Sequence, residues 1–110
     1  LFGGTRPVEK ANFHDFGIVT ENTQYEFIIS NSNKVPITIK TTDIPEGFGV
    51  VIVDKVIKSS SVGKVIIKVI PEQFANKGDF EKNIKVISEY EALGEKVTND
   101  IIFTVKGKIQ

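Results

Sequence analysis

Aromatic and branched aliphatic side chains recur two positions apart through most of this 110-residue chain. In residues 24–30, Tyr25, Phe27 and Ile29 alternate with Glu26, Ile28 and Ser30, which is the period of a pleated strand with one face toward a core. A strand is also predicted over residues 13–19, led by Phe13, Phe16 and Val19, with Gly17 marking a bulge or bend. Residues 31–34 form a polar bend whose short side chains bond to local backbone. Pro36 then confines the next strand to an edge, or to pairing that begins after it, with Ile37 and Ile39 pointing inward.

The apolar run 48–53 lacks clean alternation and reads as a strand covered on both faces or bent between sheets. A Ser-rich loop at 58–63 precedes a strand over 64–70, where Val65, Ile67 and Val69 share a face and Pro71 ends the strand. In 80–88, Phe80, Ile84 and Val86 face in while Glu81, Asn83 and Lys85 face out. Ile101, Phe103 and Val105 form the inner face of a last strand, with Ile102, Thr104 and Lys106 outside. The stretch 89–100 between them reads as a long, acidic-leaning loop, because Gly94 interrupts any helix that Ser88 and Glu91 could cap. Short strands between turn signals predict an all-β, immunoglobulin-like antiparallel β-sandwich of about seven strands. Residues 1–10 read as a leader or linker and residues 11–110 as the one domain.

Composition sharpens this picture. Val and Ile supply 29 residues against five from Leu and Ala, which favours pleated surfaces over helices. Fourteen basic and fourteen acidic residues cancel, so no strong positive field exists for non-specific nucleic-acid binding, and no nucleic-acid partner is expected. Cys is absent, which rules out disulfides and thiolate metal sites. The start at Leu1 with no Met anywhere reads as a processed or cut piece, consistent with removal of an upstream signal peptide. No apolar run approaches the ~20 residues needed to span a bilayer, so no membrane insertion by this segment is expected.

The order of several short motifs resembles the immunoglobulin-like domains of the ASH, Hydin and major-sperm-protein group. The nearest resemblance is to a bacterial family of unknown function found in secreted proteins and lipoproteins. The matching residues are Phe16 and Gly17; Phe27, Ile29 and Asn31; Pro36, Ile37 and Ile39; Val65 to Val69, then Gly78 and Phe80; and Phe103, Val105 and Gly107. Many of those relatives carry a Cys-Gly-Cys after the third strand, where this chain has Ile44, Pro45, Glu46, Gly47 and Phe48. The resemblance implies a sandwich used as a binding or spacer module in an extracytoplasmic bacterial protein, at the periplasm or cell surface, without thiol chemistry.

Candidate chemistry is sparse. His14 is the single histidine, and without a nucleophile and an orienting acid beside it, it reads as an exposed strand residue. Asp43, Glu46, Asp54, Asp79 and Asp100 read as turn formers, lacking the dense spacing of a calcium loop. Gly47 and Gly49 around Phe48 precede a β run rather than a helix, so they read as a bend and not a phosphate cradle. Tyr90 and Leu93, in the 89–100 loop, are the expected contacts for a protein partner. A sheet edge that accepts a partner strand is the other route.

The expected function is therefore that of a non-catalytic interaction or spacer module of a bacterial exported or surface protein, with no catalytic residues, no metal and no cofactor. The alternative is an accessory domain of a larger hydrolase that positions carbohydrate or peptide substrate. A free-standing hydrolase is the third and weakest reading.

Overall fold

The computed structural model describes residues 12–110. The expected leader, residues 1–10, and the expected start of the domain at Ala11 lie outside the described residues. Eight strands follow in order: β1 (Phe13–Val19), β2 (Thr23–Ser30), β3 (Ile37–Thr41), β4 (Phe48–Ile52), β5 (Val56–Ile57), β6 (Val62–Val69), β7 (Gly78–Ala92) and β8 (Glu95–Ile109). A 3₁₀ turn, Pro71–Gln73, joins β6 toward β7. One sheet has the order β1-β8-β7-β3-β5, the other β2-β6-β4. The all-β sandwich expected from the periodicity is the fold observed.

The two layers meet on the predicted faces. Phe27 and Ile29 of β2, Val65, Ile67 and Val69 of β6, and Phe48 of β4 face Ile37 and Ile39 of β3, Ile84 and Val86 of β7, and Phe103 and Val105 of β8, all of them buried. The Phe27 and Phe103 rings touch across the layers, centroids 4.6 Å apart. Because successive side chains of a strand point to opposite faces, the polar and charged residues between these positions stay in water.

Five details differ from the sequence reading. Val56–Ile57 forms a short strand against β3, too brief to show a period. Along β4, Val51 is exposed on the edge of the small sheet, so the 48–53 run is not covered on both faces. Tyr25 shares the parity of Phe27 but remains exposed, because it lies toward the start of β2 against β1 rather than between the layers. One pairing is parallel rather than antiparallel: β1 runs alongside β8 from Phe13↔Thr104 to Val19↔Ile109. Gly17, at φ +69, carries a bulge in that pairing, and the Asp15 carboxylate accepts the Gly17 N–H at 2.8 Å to hold it.

The fifth difference is the largest: residues 89–100 are not a loop. The strands β7 and β8 pair without a slip from Gly78↔Ile109 to Ala92↔Glu95, so Asp100 lies within β8, as Asp79 lies within β7.

Truncating Phe103 removes a side chain with no solvent exposure, so Phe103→Ala is expected to cost ~3–5 kcal/mol of unfolding free energy. Ile102→Ala, one residue away on the outer face, is expected to cost under ~1 kcal/mol. Urea denaturation of both variants measures the contrast.

Candidate functional site

Two strands of fifteen residues each are long for a sandwich of this size. On one side, β3 pairs with β7 only over Val86 to Glu89. On the other, β1 pairs with β8 only from Thr104 onward. Beyond these supports the β7–β8 hairpin continues as an arm, held by its own ladder.

Its tip is a two-residue turn at Leu93 and Gly94, with φ 53 and 80. Positive φ at both central positions defines a type I′ turn, which matches the twist of the flanking strands and ordinarily takes Asn-Gly. Leu at the first position is strained by its Cβ, and this Leu93 is fully exposed, at 103% of the reference area.

Tyr90 sits lower on the arm, partly buried and packed against the core cluster. The structure therefore places the two predicted contact residues apart: Tyr90 anchors the arm's base, and Leu93 stands free at its end. Along the outer face, Lys40 bridges Glu89 at 2.9 Å, Lys96 approaches the same carboxylate at 3.8 Å, and Lys85 lies 3.9 Å from Asp100. The hydrogen bond from Lys40 holds the Glu89 carboxyl below its ordinary pKa, and the nearby Lys40 and Lys96 charges add to this. Residues 95–102 of β8 carry this face to the sheet margin. A signal for them was present in the sequence, since Ser88, Tyr90, Val97 and Ile101 continue the period of two through the stretch.

His14 is not exposed as expected. Its ring stacks on Tyr25 of β2, centroids 3.7 Å apart and 14° from parallel, with Phe16 edge-on at 4.7 Å. The cluster closes the seam where β1, in the large sheet, passes β2, in the small one. Desolvation lowers the His14 pKa from its ordinary 6.5, and the Asp15 carboxylate partly offsets this.

At the opposite seam, Asn31 is buried. Its Nδ2 lies 2.9, 3.0 and 3.2 Å from the carbonyls of Val35, Ile57 and Lys58, and its Oδ1 accepts the Asn33 N–H at 2.9 Å. The end of β2 is thereby tied to β5, in the other sheet. Read from sequence as a local turn former, Asn31 does bond the nearby Asn33 N–H and is in addition a long-range tie.

No group of three or more His, Asp or Glu side chains able to hold a metal ion occurs among the described residues. A cleft of about 500 Å³ over the β1 bulge is bordered by Asp15, Asp79, Glu81, Lys106 and Lys108 and opens widely to solvent. Its charges are mixed in sign, and His14 does not line it. Gly47, at φ 93, and the buried Phe48 form the bend expected of that segment.

No family model matches this chain, and no curated protein matches it in sequence. Among solved structures the fold is similar to a chain of the Vibrio cholerae VesB protease, with a TM-score of 0.65 and 12% identity. The likeness covers 88% of this chain and 30% of that chain, so this chain spans about a third of the protease's length. At that identity the likeness shows the fold alone.

Two substitutions test the seams. Asn31→Ala strands the buried Ile57 carbonyl together with three part-buried groups, the Val35 and Lys58 carbonyls and the Asn33 N–H, and is expected to cost ~2–3 kcal/mol by urea denaturation. For His14 the sign follows from its lowered pKa: below pH ~6.5 the unfolded chain takes up a proton that the fold resists. Stability is therefore expected to be complete above that pH, to fall as pH drops toward the folded pKa, and to level beneath it. His14→Phe, which keeps a stacked ring, is expected to flatten this step in unfolding free energy between about pH 7.5 and 5.5.

Proposed function

We propose that this chain is a non-catalytic, immunoglobulin-like module that holds a protein partner through the tip of its β7–β8 arm. One observation carries the reading: Leu93 is fully exposed in a left-handed backbone conformation that a leucine adopts only at a cost. Neither burial nor turn formation rewards leucine there. An apolar anchor presented on a rigid arm does account for it, since a few exposed apolar side chains supply much of the energy of protein contacts. The aromatic cluster at His14 acts as packing between layers in this reading, and no side chain is assigned to catalysis. Assignment to the ASH-like group, and placement in an exported or surface-bound bacterial protein, follow from the sequence resemblance.

A second reading is favoured by the VesB likeness: an accessory domain within a larger hydrolase, with the chemistry elsewhere in that chain. A protease chain matched over only 30% of its length has most of its residues outside the shared fold. The arm would then contact the neighbouring catalytic domain or its substrate. Fusion partners distinguish the readings, because the second requires a catalytic domain in the same polypeptide.

Leu93→Asn separates binding from folding. Asn-Gly suits a type I′ turn, so this variant is expected to gain ~0.5–1 kcal/mol of stability while losing partner capture. Affinity capture from a native bacterial extract, with wild type and variant as baits, reads the second effect. Equal recovery of every captured protein by both baits would remove the proposal.

A further inference from the structure

Among the described residues, no strand pairs with the β1-side edge of β8 between Glu95 and Ile102. The direction of its hydrogen-bonding groups follows from parity. The Thr104 N–H donates to the Asn12 carbonyl and the Gln110 N–H to the Val19 carbonyl, both on the β1 side. With no slip in β8, residues 96, 98, 100 and 102 likewise present their N–H and C=O groups to this margin. A row left unpaired among the described residues is a template for another strand.

The side chains beside that row are self-complementary. When two such edges pair antiparallel with Thr98 opposite its symmetry mate, Lys96 falls opposite Asp100 of the other copy, and Asp100 opposite Lys96. All of these are hydrogen-bonded positions, as the parity requires, and the side chains share the outer face. A slip of one pairing step leaves Lys96 against Thr98 or Ile102, and Asp100 against Gly94 or Thr98. Larger slips set Lys96 against itself or Asp100 against itself, which like-charge repulsion disfavours. One register therefore joins both charges of this row with their opposites.

The contacts within the hairpin extend this row. Glu89 lies 3.8 Å from Lys96, and Asp100 lies 3.9 Å from Lys85. Across four strands of a pair the signs run Glu89, Lys96, Asp100, Lys85. We propose that β8 docks edge to edge with β8 of a second copy of this chain, about a two-fold axis through Thr98, joining two five-stranded sheets into one. The interface is isologous, as closed homodimers require. It uses the backbone margin and charges of β8 rather than the Leu93 side chain.

The test is sedimentation equilibrium of the 110-residue chain from about 1 µM to 1 mM, a range suited to an edge contact of modest area. Wild type is expected to show a concentration-dependent dimer. Lys96→Glu and Asp100→Lys are each expected to weaken it at least ~10-fold, since each turns both symmetric pairs repulsive. Mixing the two variants restores attraction at both pairs, so a heterodimer is expected where neither variant pairs with itself. Thr98→Pro is a further variant: its N–H faces the margin and serves no internal ladder bond, so the fold survives and the dimer is lost. Far-UV circular dichroism confirms folding of each variant. A wild-type monomer over the whole range overturns the proposal, including one whose β8 amides are protected from exchange by some other occupant. A mixture that stays monomeric, or a dimer indifferent to all three substitutions, also overturns it.

Discussion

Because β7 and β8 pair without a bulge over fifteen residues each, the side-chain parity set between the layers carries to the tip of the arm. In the sandwich, that parity buries Ile84, Val86, Phe103 and Val105 completely. Beyond it, the same alternation places Tyr90 and Val97 on one face and Lys96, Thr98 and Asp100 on the other. A one-residue slip anywhere in the ladder would expose the core residues and turn the arm's charges inward. Core and arm are thus one object: burial of the proximal half pins the register, and the pinned register decides what the distal half presents.

The two sheets are also joined by side chains at their seams. Asn31 ties β2 to β5, and the His14–Tyr25 stack closes β1 against β2. A buried amide is tolerated because all its polar atoms find partners, and no buried side-chain nitrogen or oxygen among the described residues lacks one. The aromatic seam works differently, by packing a titratable ring whose charged form desolvation disfavours. One end of the sandwich is therefore held by hydrogen bonds indifferent to mild acid, and the other by a contact that protonation weakens.

In the reading proposed above, the sandwich serves as a base and the projecting hairpin as the contact element. The strain at Leu93 is local, and the ladder beneath it supports the cost. A likeness to one region of a protease chain does not alter this, since a common sandwich hosts many unrelated functions and the site, not the fold, decides among them. On the surface of the arm, an apolar tip adjoins a margin that carries charges of both signs.

Much of this was legible in the order of residues alone. The inward set, Phe27, Ile29, Val65, Ile67, Val69, Ile84, Val86, Phe103 and Val105, follows from a period of two, which is a local property of each strand, and Gly17 and Pro36 marked the bulge and the late start of β3. The sequence likewise determined that no thiol chemistry is open to the chain. Where strands end and which strands are neighbours were decided only in three dimensions. Residues 89–100 looked like a loop because their apolar content is thin and their turn is Leu-Gly, and they are strands because β7 and β8 zip onward from a buried, already registered base. The short β5, the parallel β1–β8 pair and the reach of Asn31 depend on backbone partners far away in the chain, and no local pattern records a partner that only folding brings near.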